Sequence, residues 1–286
     1  MRPVTPQNAV RAAIAVAVCV AVGIAYDRFG EGGRDAIARA RQAEEAERTR
    51  QAAPPAEPVR PPQTPGSPPS DRADFDFYLL ALTMHDAWCG DGNRQRRECR
   101  IGSDRPLVIH GLWPERLEPR TYPRDCPGPR LALETATESE LETYMPGMQS
   151  GLHIHEWREH GTCSGLTGDD YFRATLDLAR RMDDAMRQIL TNYAGRQVSA
   201  DALRAATRTT QPGLERTFTL HCRTLRDARP ELRDGAFLVE IRQCVDDDGP
   251  GGAPGTPLDC ASVNRRDQGC GRSFRIASRA ASRQSP

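Results

Sequence analysis

The chain contains no lysine. All 39 of its basic residues are arginine, and 39 acidic residues match them, so the formal charge is zero. That balance excludes a global positive field; a nucleic acid, if bound, must be held by local charge. No Cys-x-x-Cys pair occurs, which counts against a zinc ribbon. No internal repeat is present. The apolar run from Ala12 to Tyr26 has fifteen residues, short for a membrane span and at the top of the signal-peptide range.

Against these absences stand nine cysteines. Cys19 lies in the apolar run, and the other eight all follow residue 73. An even count confined to the foldable part points to disulfides and an oxidising compartment, with reduced thiols or zinc ligands as the alternative. Arg2 and Arg11 precede the apolar run, as in an export signal. Gly23-Ile24-Ala25 is a poor cleavage site, and Val18 before Cys19 does not suit a lipoprotein. A cleaved signal peptide and a retained signal anchor both fit residues 1–26. Either places the remainder outside the cytoplasm, secreted or periplasmic, and the anchor would tether it to the membrane through residues 12–26.

Residues 27–73 read as a linker. Residues 34–52 mix helix formers of both charges without an apolar stripe, and 53–69 hold eight prolines, an extended spacer. A single domain is expected over 74–286. Phe75 to Leu82 reads as a central strand. Leu107-Val108-Ile109 reads as a short strand delivering His110 at its tip. Residues 115–130, rich in Pro and Arg, read as loop. Helices are expected over 138–145, 152–162, from a cap at Asp169/Asp170 to about residue 192, and over 200–208. Strands are expected over 216–222 and 236–245, and the Gly/Pro tract 249–257 is a surface loop. Strands and helices do not alternate regularly, so the fold class is α+β, a mainly antiparallel sheet flanked by helices.

Two short blocks carry the chemistry: His110-Gly111-Leu112-Trp113-Pro114-Glu115 and His155-Glu156-Trp157-Arg158-Glu159-His160-Gly161-Thr162-Cys163. They hold three of the six histidines. On a helix, His155, Glu156, Glu159 and His160 fall within one arc of about 140°, with Trp157 turned toward packing. His110 brought opposite that face sets a substrate between groups that titrate near neutral pH, so that one takes a proton while the other gives one.

The two blocks resemble the active-site segments of the T2 family of secreted ribonucleases, His-Gly-Leu-Trp-Pro and His-Glu-Trp-x-Lys-His-Gly-Thr-Cys. The likeness runs from about Asp74 to Gly271 and includes Tyr171-Phe172 and the C-terminal cysteine spacing. It implies a disulfide-stapled ribonuclease T2-like fold with pairs Cys89–Cys99, Cys126–Cys163, Cys222–Cys270 and Cys244–Cys260. It implies endonucleolytic cleavage of single-stranded RNA by transesterification to a 2′,3′-cyclic phosphate, then hydrolysis. No metal, cofactor or obligate protein partner is required. His160 resembles the general base and His110 the general acid. His155 resembles the phosphate-binding histidine, and Glu156 the carboxylate beside the phosphorus. Trp113 would stack on a base whose edge Glu115 would hydrogen-bond.

This chain departs from the pattern at Glu159, where the family has lysine. A carboxylate near a phosphorane repels it, and losing a charged stabiliser costs on the order of 10²–10³ in rate. Arg158, about 100° around the helix, is the candidate replacement cation. At Met84 to Asp86 the family's Trp and Ser-Pro are missing, and His85 and Asp86 read as an exposed polar loop, with a place at the rim of the cleft as the alternative. His153 and His221 read as structural. Two other functions remain in play. A catalytically impaired RNA-binding protein would bind without turnover. A metal-dependent hydrolase would use His153, His155 and His160, although the spacing is not the zinc-protease His-Glu-x-x-His.

Overall fold

The computed structural model describes residues 72–118, 122–225, 235–249 and 252–278. The apolar run, the charged segment and the proline-rich tract lie outside the described residues. Among the described residues there are six strands: β1 (Phe77–Met84), β2 (Leu107–Glu115), β3 (Gln197–Val198), β4 (Phe218–Arg223), β5 (Phe237–Val245) and β6 (Phe274–Arg275). The α-helices are α1 (His85–Trp88), α2 (Arg97–Ile101), α3 (Thr135–Tyr144), α4 (Leu152–Glu159), α5 (Gly168–Tyr193) and α6 (Ala200–Thr210).

One sheet runs β2-β1-β5-β6-β3, with β4 also paired to β5. Every pairing is antiparallel except β5 with β6. The architecture is α+β, and β2, which carries the first chemical block, is a sheet edge. The two short strands β3 and β6 are too brief to show a period-2 pattern in the sequence.

The main core lies between the sheet and α5. Tyr171, Leu178, Met182, Ala185 and Ile189 recur at helical spacing along α5 and are buried, the stripe expected of a core-facing helix. From the sheet, Leu80, Leu82, Ile109, Leu112 and Ile241 face it. The cap of α5 is Thr167, whose Oγ1 accepts from the Asp170 backbone N–H. Asp169 and Asp170 sit in the first turn instead, where their charge favours the positive end of the helix. That corrects the expected cap.

Four disulfides, Cys89–Cys99, Cys126–Cys163, Cys222–Cys270 and Cys244–Cys260, staple the loops to this frame. Cys126–Cys163 and the Trp157 indole, which donates to the Pro129 carbonyl, together hold the segment after β2 against α4.

Candidate active site

β2 does not stop at His110. It continues to Glu115, and the register against β1 slips there: Ile109 opposes Leu82 and Gly111 opposes Ala81, leaving His110 without a partner. The slip follows from the apolar pattern. Ile109 and Leu112 both belong in the core, which period-2 alternation forbids unless one residue is bulged out. His110 is that residue, so a bulge rather than a strand end presents its imidazole.

Gly111 then meets α4 side-on. A Cβ at this position would collide with Glu156 Oε2 and the Trp113 indole, so only glycine lets the buried carboxylate reach the strand. Trp113 Nε1 donates to Glu156 Oε2 at 2.9 Å. Around Glu156 two imidazoles converge: His110 Nε2 is 3.8 Å from Oε1 and His160 Nε2 is 3.9 Å from Oε2. The Trp113 ring lies between them, with centroids 5.1 Å from His110 and 5.5 Å from His160. It forms the floor of the site, tied to Glu156 rather than standing free.

α4 carries this arrangement because Trp157 is buried in the core and thereby turns its neighbour Glu156 toward the sheet edge. The helix ends at Glu159, three residues before the expected end. His160 follows in a non-helical conformation, and a 3-10 turn over Gly161–Cys163 succeeds it. The Tyr122 ring, 44% exposed, packs 5.6 Å from His160 on its outer side.

The two imidazoles titrate in opposite directions. Burial pulls the His160 pKa down to about 4, assisted by the positive charges of His155, His110 and Arg124 and opposed by Asp125. Its Nδ1 is buried without a hydrogen-bond partner. For His110 burial also disfavours the charged form, but the hydrogen bond to Glu240 and the charges of Glu240 and Glu156 outweigh it, so its pKa is raised. Burial raises the Glu156 pKa against the pull of His110, the Trp113 hydrogen bond and His155.

Glu240 and Arg242, both on β5, are the residues that reading the sequence missed. His110 Nδ1 lies 2.8 Å from Glu240 Oε1. Arg242 Nε donates to Glu240 Oε2, and its guanidinium lies 4.9 Å above the Trp113 ring. Gly111, Ala81 and Arg242 form one row across β2, β1 and β5, and the two small residues leave the guanidinium room to reach Trp113. The available signal was the pattern Val239-Glu240-Ile241-Arg242: two opposite charges, two apart, in a largely apolar strand.

The other expected site residues fall as follows. His155 is exposed and lines, with His110, a groove of about 500 Å³. Arg158 is exposed and Glu159 partly so, and among the described residues neither forms an ion pair. Glu115 is buried and bonded to Arg265. It is therefore not free for a base edge: at 8% exposure its charge requires that partner. His85 is likewise not in an exposed loop. It is 4% exposed in α1, where its Nε2 lies 3.6 Å from Cys89 Sγ, and it lines the same groove. Residues 85–89 coil tightly because the Cys89–Cys99 bridge draws them inward.

Among the described residues, only His85, Cys89 and Cys99 bring ligand-type atoms within 4.8 Å of one another, and both sulfurs are in a disulfide. His153, His155 and His160 form no such group.

A model of the ribonuclease T2 family matches residues 75–251. A ribonuclease of Aeromonas hydrophila is 33% identical over 129 residues, which span 44% of this chain and 55% of that protein. Ribonuclease MC of Momordica charantia is 29% identical over 214 residues, covering 70% of this chain and 99% of that one. Among solved structures, a variant of RNase MC1 in complex with 5′-UMP superposes with a TM-score of 0.54 at 25% identity, covering 71% of this chain and 98% of that chain.

Proposed function

Because the chain belongs to the ribonuclease T2 family, we propose that it is an exported endoribonuclease that cleaves single-stranded RNA without a metal. The supporting observation is the pair of imidazoles on either side of Glu156, one with its pKa drawn down and the other with its pKa raised by their surroundings. Two like groups whose surroundings push their pKa values apart are suited to the base and acid of one reaction.

His160, neutral above about pH 4, takes the proton of the ribose 2′-hydroxyl. The 2′-oxygen bonds to phosphorus while the bond from phosphorus to the 5′-oxygen breaks, and His110 gives its Nε2 proton to that departing oxygen. Water then attacks the 2′,3′-cyclic phosphate with the two histidines in exchanged roles, leaving a 3′-phosphate. DNA lacks the attacking hydroxyl and is excluded. Glu156 and His155 flank the phosphorus, and the carboxylate of Glu159 opposes the phosphate, slowing rather than abolishing the step.

The groove beside His110 and His155 suits the base. Trp88, 37% exposed, offers a stacking face there, and Ser150 a polar edge. RNase MC1 is known with 5′-UMP bound, which accords with a nucleotide site in such a fold. Export is supported by the four disulfides. Residues 1–26 would act as signal peptide or signal anchor and 27–73 as the spacer before the catalytic domain.

The test is direct. The oxidised full chain, treated with EDTA, is incubated with a short single-stranded RNA and the product ends are identified by mass. Fragments ending in 2′,3′-cyclic phosphate are expected. Intact RNA at a concentration where the oligomer binds would favour the impaired binding protein instead.

A further inference from the structure

Glu240 and Arg242 lie outside both chemical blocks, some 80 residues beyond the second, yet they reach the reacting face across the sheet. Glu240 is 7% exposed, a burial that a carboxylate tolerates only when paired. It has two partners: the His110 ring on Oε1 and the Arg242 guanidinium on Oε2. Burial alone would raise its pKa, but those two partners hold it below the ordinary value, so it stays ionised. An ionised carboxylate only accepts, so the His110 Nδ1 must carry the hydrogen of this bond. The transferable proton is thereby confined to Nε2, the nitrogen that faces Glu156 and the site.

We propose that Glu240 and Arg242 are positioning residues for the acid step: Glu240 locks the tautomer and orientation of the His110 imidazole, and Arg242 holds Glu240 in place and ionised. This rests on the reading of His110 as the general acid. During cleavage the Nε2 proton passes to the leaving 5′-oxygen, and His110 becomes neutral with its Nδ1–H still bonded to Glu240. No proton moves to Glu240.

The arrangement is suited to an acid that must be charged before it acts and neutral afterwards. A carboxylate on the far nitrogen favours the imidazolium while leaving the near nitrogen free. The charged and titratable groups around His110 are few enough to name. β5 supplies Glu240 and Arg242, α4 supplies Glu156 and His155, and His160 follows α4 beyond Glu156. His85 of α1, with Arg96 and Glu98, lines the groove on its other side. His221 of β4 pairs opposite Glu240, with its own pKa pulled to about 4 by burial and Arg242, against Glu240 and Asp267. Of these, only Glu240 is hydrogen-bonded to the ring.

Glu240→Gln keeps an acceptor for the Nδ1–H but removes the charge, and Arg242→Gln removes the opposing charge. Both are made in the full chain and compared with the parent across pH on RNA, with the His110 ring titrated by NMR. In Glu240→Gln the alkaline limb of kcat should move down by about one pH unit, with kcat near pH 8 falling about tenfold and KM changing less than twofold. Toward acid pH, where protonation of the ring is favoured in both proteins, the variant should approach the parent. Arg242→Gln, which frees Glu240 and removes the charge that keeps it ionised, should move the limb the same way by a smaller amount. Equal loss at every pH, or a limb that stays in place in Glu240→Gln or moves up in Arg242→Gln, would overturn the proposal. Should the parent bind RNA without cutting it, the nuclease reading fails. The NMR midpoint of His110 then still decides on Glu240: a fall in Glu240→Gln supports the positioning role, and an unchanged midpoint ends it. If Glu240→Gln does not fold, Glu240→Asp, which keeps the charge and shortens the reach, takes its place. It should retain the parent's limb while lowering kcat.

Discussion

His110 and His160 approach the same carboxylate, carry the same side chain and lie almost the same distance from it. What separates them is the neighbour of the other ring nitrogen. On the sheet side, His110 finds an ionised glutamate. At the end of α4, the His160 Nδ1 is enclosed and unpartnered, with cations nearby. Burial acts against the charged form in both, and only at His110 do the neighbouring carboxylates outweigh it. In the proposed mechanism, the division into acid and base would be set by these second neighbours and not by the two motifs.

The largest effect that could break this comparison is removal of either imidazole. His110→Ala and His160→Ala should each lower kcat/KM on RNA by about 10²–10⁴-fold. The double variant should lose little more than the worse single one, because the two act as a unit. Additive losses would mean that the histidines serve separate steps.

Next comes the charge at the phosphate. Glu159→Arg should raise kcat by roughly 10–100-fold, since it replaces a repelling carboxylate with a stabilising cation. A single-turnover assay that finds no gain would show that Glu159 points away from the phosphate.

Gly111→Ala tests the contact that lets both histidines share Glu156. The added methyl must displace the Glu156 carboxylate or the Trp113 indole. The expected outcome is a melting transition lowered by about 1–3 kcal/mol and an activity loss larger than that instability explains. Unchanged melting would place Glu156 elsewhere in solution.

The smallest effect lies in stability against pH. His160 and His221 have folded pKa values of about 4, below the unfolded value near 6.5. The unfolded chain thus binds more protons in that window, and stability should fall as pH drops from about 6.5 to 4. His110 has the opposite sign: its raised pKa adds stability below the unfolded value, which is lost as pH rises through the folded one. Denaturant melts at pH 4.5 and 6.5 should show His160→Gln less acid-sensitive than the parent and His110→Gln more so.

Much of this was legible in the residues themselves. The strand expected from Phe75 to Leu82 is present as β1, the helix expected to about residue 192 as α5, and the helical segment that carries Glu156 as α4. The misread features share a cause. His110 was assigned to a strand tip because the bulge exists only to reconcile Ile109 and Leu112 with the same core. Glu115 was assigned to a base because Arg265, its ion-pair partner, is 150 residues away in the chain. His85 was assigned to the surface because nothing local reveals that the Cys89–Cys99 bridge folds its segment inward.

The sequence by itself determined which groups are available for proton transfer, their order along the chain, and the helical spacing that sets Glu156 beside His160. Those are short-range properties, fixed by 3.6 residues per turn and by side-chain chemistry. Only the tertiary structure decided which imidazole keeps its proton. That choice depends on Glu240 reaching His110 across an intervening strand, a separation of 130 residues, and no local pattern encodes which strands will lie side by side.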